Sequence, residues 1–184
     1  MTLPALQEWR DFYVMIGTAS GVIVGATFVV ATLAGDLDKR AIGLKGFITP
    51  TTVHLGSVLV GSAVLAAPTL STLVLSILLG LGALAGVIYG VIVWTRINQL
   101  KIDLIDRFWY GVLPIFSYAL LGAAAWLVFS AIGPGLELVG AALVLLLIAG
   151  IRNAWDMATF MVLGGPSAAE NNPDGDKKND PTGQ

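Results

Sequence analysis

The sequence has no cysteine and a single histidine. The first absence removes disulfides, thiolate nucleophiles and cysteine-based metal sites. The second removes His-rich zinc or haem centres, which need several imidazole ligands. Charge is scarce too: 12% of the 184 residues are charged, against about 25% in ordinary soluble domains. The 10 basic and 12 acidic side chains leave a net charge of −2, with the basic residues scattered among loops. Nucleic acid is therefore not an expected partner. P-loop, dinucleotide-fingerprint, G-x-S-x-G and H-E-x-x-H patterns are missing. Ser57 follows His54 by three residues, but that spacing is common and marks no hydrolase. The residues point to a protein that is not an enzyme and takes no cofactor or metal. "MTLPALQEWR" at the start lacks the basic stretch, apolar stretch and small-residue site of a secretory signal, so the first apolar segment is expected to remain.

Apolar residues are what the chain has instead. They make up 56% of it, and the mean hydropathy is +0.83. A chain of this kind cannot cover a water-facing surface, so the lipid bilayer is its main partner. Five apolar segments stand out: Asp11 to Ala34, Thr49 to about Ala67, Leu70 to Thr95, Phe108 to Ile132, and one after Gly135. A spanning helix needs about 20 residues. Thr49 and Pro50 read as the cap and first residue of the short second segment. The expected fold class is all-α, a polytopic transmembrane helix bundle over residues 1–165 with a hydrophilic, disordered tail over 166–184. Five spans are favoured, with four as the alternative if segments two and three form one broken element.

Lys39, Arg40 and Lys45 fall in the first loop and Arg96, Lys101 and Arg107 in the third, while the other two loops carry no cation. The positive-inside rule puts those two loops and the C-terminus in the cytoplasm and the N-terminus outside. Trp9, Phe12 and Tyr13 then suit an outer aromatic belt, and Trp94, Trp109 and Tyr110 an inner one.

Gly17, Gly21 and Gly25 recur every fourth residue in the first helix, as do Gly82, Gly86 and Gly90 in the third. Small residues at this spacing let helix backbones approach closely, within one chain or between subunits of a homo-oligomer. The last segment poses a different question. In "LLLIAGIRNAWDMATFMVLGG" an apolar run is interrupted by Arg152, Asn153 and Asp156. Arg152 and Asp156 are at i and i+4, so they share a face and can pair. With the helix starting near Leu136, Arg152 lies about 24 Å along its axis, in the cytoplasmic third of a core about 30 Å thick. Either the span ends near Ile151 and Arg152 snorkels to headgroups, or the helix continues to Leu163 and the charges face protein or a wet cavity. His54, about 6 Å inside the second helix, is expected at similar depth. His54, Arg152, Asn153 and Asp156 are therefore the candidate intramembrane polar cluster, with Thr27, Thr32 and Tyr89 as further candidates for its lining.

The segments "WRDFYVMIGTASGVIVGATFVVATL", "TPTTVHLGSVL" and "GIRNAWDMATF" together resemble a family of small, uncharacterised bacterial multi-pass membrane proteins. The resemblance implies a bacterial inner-membrane setting and no activity. Two functions compete. One is a homo-oligomeric pore or proton-linked transport protein whose polar cluster lines a cytoplasmic-side cavity. The other is a non-catalytic accessory or scaffold subunit whose glycine grooves receive helices of other membrane subunits.

Overall fold

A computed structural model describes residues 4–34, 41–97 and 104–162, and every element among them is helical. The elements are α1 (Pro4–Ala34), α2 (Ala41–Ala66), α3 (Thr72–Ile97), α4 (Leu104–Arg107), which continues through a π-helical turn (Phe108–Val112) into α5 (Leu113–Phe129), and α6 (Gly135–Val162). Five stretches are long and apolar enough to cross a membrane: Leu6–Thr32, Thr49–Ala66, Thr72–Ile97, Leu104–Phe129 and Gly135–Asp156. The protein is a small multi-pass membrane protein, and the four-span alternative falls because α2 and α3 are separate helices. Ser71 starts the second of them: its Oγ accepts from the Val74 amide at 3.3 Å, satisfying one of the four orphan donors of a helix start. The tail over 166–184 and the loop residues Lys39, Arg40 and Lys101 lie outside the described residues.

Helix α6 is the centre of the bundle. It packs against α1, α2 and α5, and α3 lies against the far side of α5. Half of the α6 span is buried but only 22% of the α1 span, so α1 is peripheral. Close approaches fix the register. Gly17 faces Ser62, and Gly21 faces Leu59, which makes α1 and α2 antiparallel. Gly61 faces Leu143 and Gly150 faces Leu55, so α2 and α6 are antiparallel as well. Gly86 and Gly90 of α3 face Tyr118 and Ile115 of α5 in the same sense. The start of α2, the end of α3 and the start of α4 therefore share one end of the bundle, called the basic end below for its Arg96 and Arg107. At the opposite end Trp9, Phe12 and Tyr13 form an aromatic cluster over the first turns of α6. Tyr13 is fully buried there, not in an interfacial belt, and its hydroxyl donates to the Leu136 carbonyl at 2.8 Å. Burial of a phenol requires such a partner.

Two prolines shape the site. The second helix starts at Ala41, well before Thr49, and runs through Pro50, so Lys45 is helical and not in a loop. Proline has no N–H, so the Gly46 carbonyl loses its i+4 donor. Pro114, near the start of α5, would likewise drive its ring into the carbonyl four residues back. The preceding turn widens to a π-turn, with the Leu113 amide bonded to the Phe108 carbonyl. That turn carries Trp109 and Tyr110. The α5–α6 connection closes as a Schellman motif: the Ile132 amide donates to Leu127 at 3.0 Å and the Ala131 amide to Val128 at 3.2 Å. Ala131 takes the left-handed conformation, with φ 55°, that glycine usually supplies there.

The glycine stripes meet their neighbours unevenly. A Cβ at Gly17 would come 2.8 Å from Ser62, one at Gly90 would come 2.7 Å from Ile115, and one at Gly86 would enter the Tyr118 ring. A Cβ at Gly21 would make ordinary contact with Leu59 at 3.7 Å, while Gly25 and Gly82 have nothing within 4 Å. Within the chain, Gly25 and Gly82 therefore meet no other helix among the described residues. Four residues advance a helix by about 400°, so each step drifts about 40°, and a three-residue stripe rotates off a straight interface. Gly111, seated on Trp94, and Gly150, seated on Leu55, are close approaches outside any stripe.

Candidate functional site

The structure places the sequence candidates in two polar clusters, not one. The first is built on α2. Its buried face carries Thr51, His54 and Ser62, with Ser57 half-buried beside them. His54 is 1% exposed. Its Nδ1 lies 3.1 Å from the Tyr118 hydroxyl, which lies 3.0 Å from Ser57 Oγ, which is in turn 2.8 Å from the Val53 carbonyl. Only one arrangement of protons satisfies this chain. The Val53 carbonyl can only accept, so Ser57 donates to it; Ser57 then accepts from Tyr118, and Tyr118 accepts from His54 Nδ1–H. In the neutral ring this order puts the proton on Nδ1 and the lone pair on Nε2. Nε2 is buried and has no hydrogen-bond partner among the described residues. The Tyr89 ring stands edge-on to the imidazole at 6.1 Å. Tyr118 is held from behind by Gly86, the one stripe glycine whose role is to seat a site residue.

The second cluster hangs between α6 and the π-turn. Arg152 Nε donates to both carboxylate oxygens of Asp156 at 3.1 Å, and the Tyr110 hydroxyl donates to Asp156 Oδ2 at 2.9 Å. The guanidinium carbon of Arg152 sits 5.6 Å from the centre of the Trp109 ring, within cation–π range. The pair is not sealed in the core, since the Arg152 and Asp156 side chains are 39% and 27% exposed. Because α6 runs on to Val162, the charges interrupt a continuing helix and do not mark its end.

His54 and Asp156 are thus not partners. The tyrosines they bond, Tyr118 and Tyr110, are two turns apart along the α5 span, about 12 Å at 1.5 Å per residue. A groove of about 230 Å³ between α1 and α6 holds neither cluster: it is apolar, lined by Ile23, Ala26, Thr27, Ile151, Trp155 and Ala158 among others. Thr27 and Thr32 bond the carbonyls four residues back on their own helix, at 2.8 Å each. Asn153 is the outlier. It is 0% exposed, and neither its Nδ2 nor its Oδ1 has a partner among the described residues. The sequence put Tyr110 in an aromatic belt and did not single out Tyr118, although Pro114 between them is a legible signal for an irregular turn. No known protein family, curated protein or solved structure matches the chain.

Proposed function

We propose that the protein is a proton-linked transport protein of the bacterial inner membrane, with His54 as its proton-accepting group. The directed chain from His54 through Tyr118 and Ser57 to the Val53 carbonyl carries this reading. It fixes a base in the apolar interior with its lone pair free on Nε2. A proton taken up there leaves an imidazolium with no carboxylate among its bonded neighbours. An uncompensated charge in such a place is costly, so uptake favours any rearrangement of α2 against α5 that admits water or a counter-charge. That differential preference is what couples proton binding to a conformational change. The inner-membrane setting follows the resemblance of the first, second and fifth segments. The orientation, with the basic end cytoplasmic and the N-terminus outside, follows the positive-inside rule. In proteoliposomes holding a pH-sensitive dye, an imposed gradient should collapse faster with the wild type than with empty vesicles, and His54→Gln should remove the difference. Equal rates for wild type and His54→Gln would end the proposal.

A scaffold role is the second reading, and one observation favours it. Gly25 on α1 and Gly82 on α3 are exposed, and a Cβ at either would meet no other helix within 4 Å among the described residues, so each offers a helix of another subunit, or of a second copy, a close approach. Cysteines at these two positions should cross-link to a neighbour in native membranes if that reading is right.

A further inference from the structure

Asn153 is the least satisfied side chain in the described bundle. A primary amide offers two donors and an oxygen acceptor, and here all are buried without a protein partner. Leaving such a group unpaired in an apolar interior is costly, so an amide buried in a membrane bundle has a polar companion. Full burial excludes lipid headgroups and large solutes, leaving something the size of water.

The register shows what that companion touches. Leu55 of α2 faces Gly150 of α6, and the helices are antiparallel, so Asn153 lies one turn beyond, level with Thr51 and Thr52. His54 is level with Gly150, about 4 Å away along the axis. Nε2 of His54 and the Asn153 amide are therefore two buried, unpartnered polar groups on packed helices within one turn of each other. A ring-nitrogen acceptor and an amide that both donates and accepts, within one turn of each other, are what a buried water needs, since such waters make about 2–4 hydrogen bonds.

We propose that Asn153 holds an internal water site against His54 Nε2, so that the imidazole is wired on both sides. Nδ1–H is tied to Tyr118, and Nε2 accepts from a water whose second hydrogen bonds Asn153 Oδ1. The amide Nδ2–H₂ then donates to a second water. The other groups packed on His54 are Tyr89 from α3 and Tyr118 from α5; from α1, Ser20 is committed to the Leu55 carbonyl at 2.7 Å. No charged side chain competes for Nε2 among these contacts. The site lies toward the basic end, where the half-exposed Arg152–Asp156 pair begins less than a turn away on either side of Asn153. It supplies the step by which a proton reaches Nε2 from that end. The inference thus deepens the transport reading and rests on the same histidine.

The single histidine makes the test clean. With ¹⁵N-labelled histidine, the full chain in lipid nanodiscs gives one imidazole whose nitrogen shifts report the tautomer and whose contact with water is read by magnetisation transfer. The expected result is a protonated Nδ1, an unprotonated Nε2, and strong transfer from water to the ring. Asn153→Leu should cut that transfer several-fold, and Asn153→Ser, which keeps a hydroxyl at the site, should retain most of it. Absence of water contact in the wild type overturns the proposal without any variant. Equal transfer in wild type and Asn153→Leu overturns it as well. Proton flux is measured separately: a wet imidazole without flux leaves the water site standing and removes the transport reading, whereas flux past a dry imidazole does the reverse.

Discussion

Tyr118 and Tyr110 lie two turns apart along one membrane span, and each gives its hydroxyl to a polar group on another helix. Their surroundings differ in every other respect. Tyr118 is buried and bonds His54 and Ser57, neutral groups in a sealed interior. Tyr110 bonds the Asp156 carboxylate of an ion pair that reaches the surface of the bundle. The comparison separates charge from consequence. The ion pair is the conspicuous feature of the sequence, but its side chains reach the surface of the bundle. The histidine is buried, so its few contacts matter more to the fold and to any proton it takes.

The strongest way to break the comparison is through the seat of Tyr118. Gly86→Leu should push the phenol away from His54 and cost about 1–3 kcal/mol, as overpacking typically does. Gly82→Leu, one turn earlier with nothing within 4 Å, should stay within about 0.5 kcal/mol of the parent. Thermal unfolding of the two variants in the same detergent checks this, and equal losses would mean that Gly82 also faces a helix.

Removing the hydroxyls sharpens the contrast. Tyr118→Phe strands His54 Nδ1 in the core and should cost about 1–3 kcal/mol, the penalty for a buried polar group left unsatisfied. Tyr110→Phe leaves Asp156 with Arg152 and partial exposure, so about 1 kcal/mol or less is expected. Denaturation midpoints of the two variants decide the order, and a larger loss for Tyr110→Phe would reverse the ranking of the clusters.

The smallest effect is expected at the ion pair. A buried pair broken on one side would cost about 3–5 kcal/mol. At 39% and 27% exposure Arg152→Ala and Asp156→Ala should each cost about 1 kcal/mol or less, as exposed pairs do. A double-mutant cycle gives the coupling directly. A loss above about 3 kcal/mol for either single variant would show that this flank is dry in the bilayer.

Read alone, the sequence determined what depends on spacing along one chain. The lengths of the apolar runs set five spans and lipid as solvent, and the four-residue interval set the contact between Arg152 and Asp156. Both follow from rise and turn per residue, which every helix obeys. The tertiary structure alone decided which face of each helix meets protein. These helices are apolar nearly all round, so no stripe of hydrophobicity declares the buried side. The rotation of α2 turned His54 onto Tyr118, 64 residues away, and that of α6 buried Asn153 while leaving its near neighbours Arg152 and Asp156 half-exposed. It also put Gly86 behind a ring and left Gly82 on the exposed side of its helix. In a bilayer that rotation is set by close packing and interhelical hydrogen bonds, not by hydrophobic burial, and those contacts have no fixed spacing in the chain.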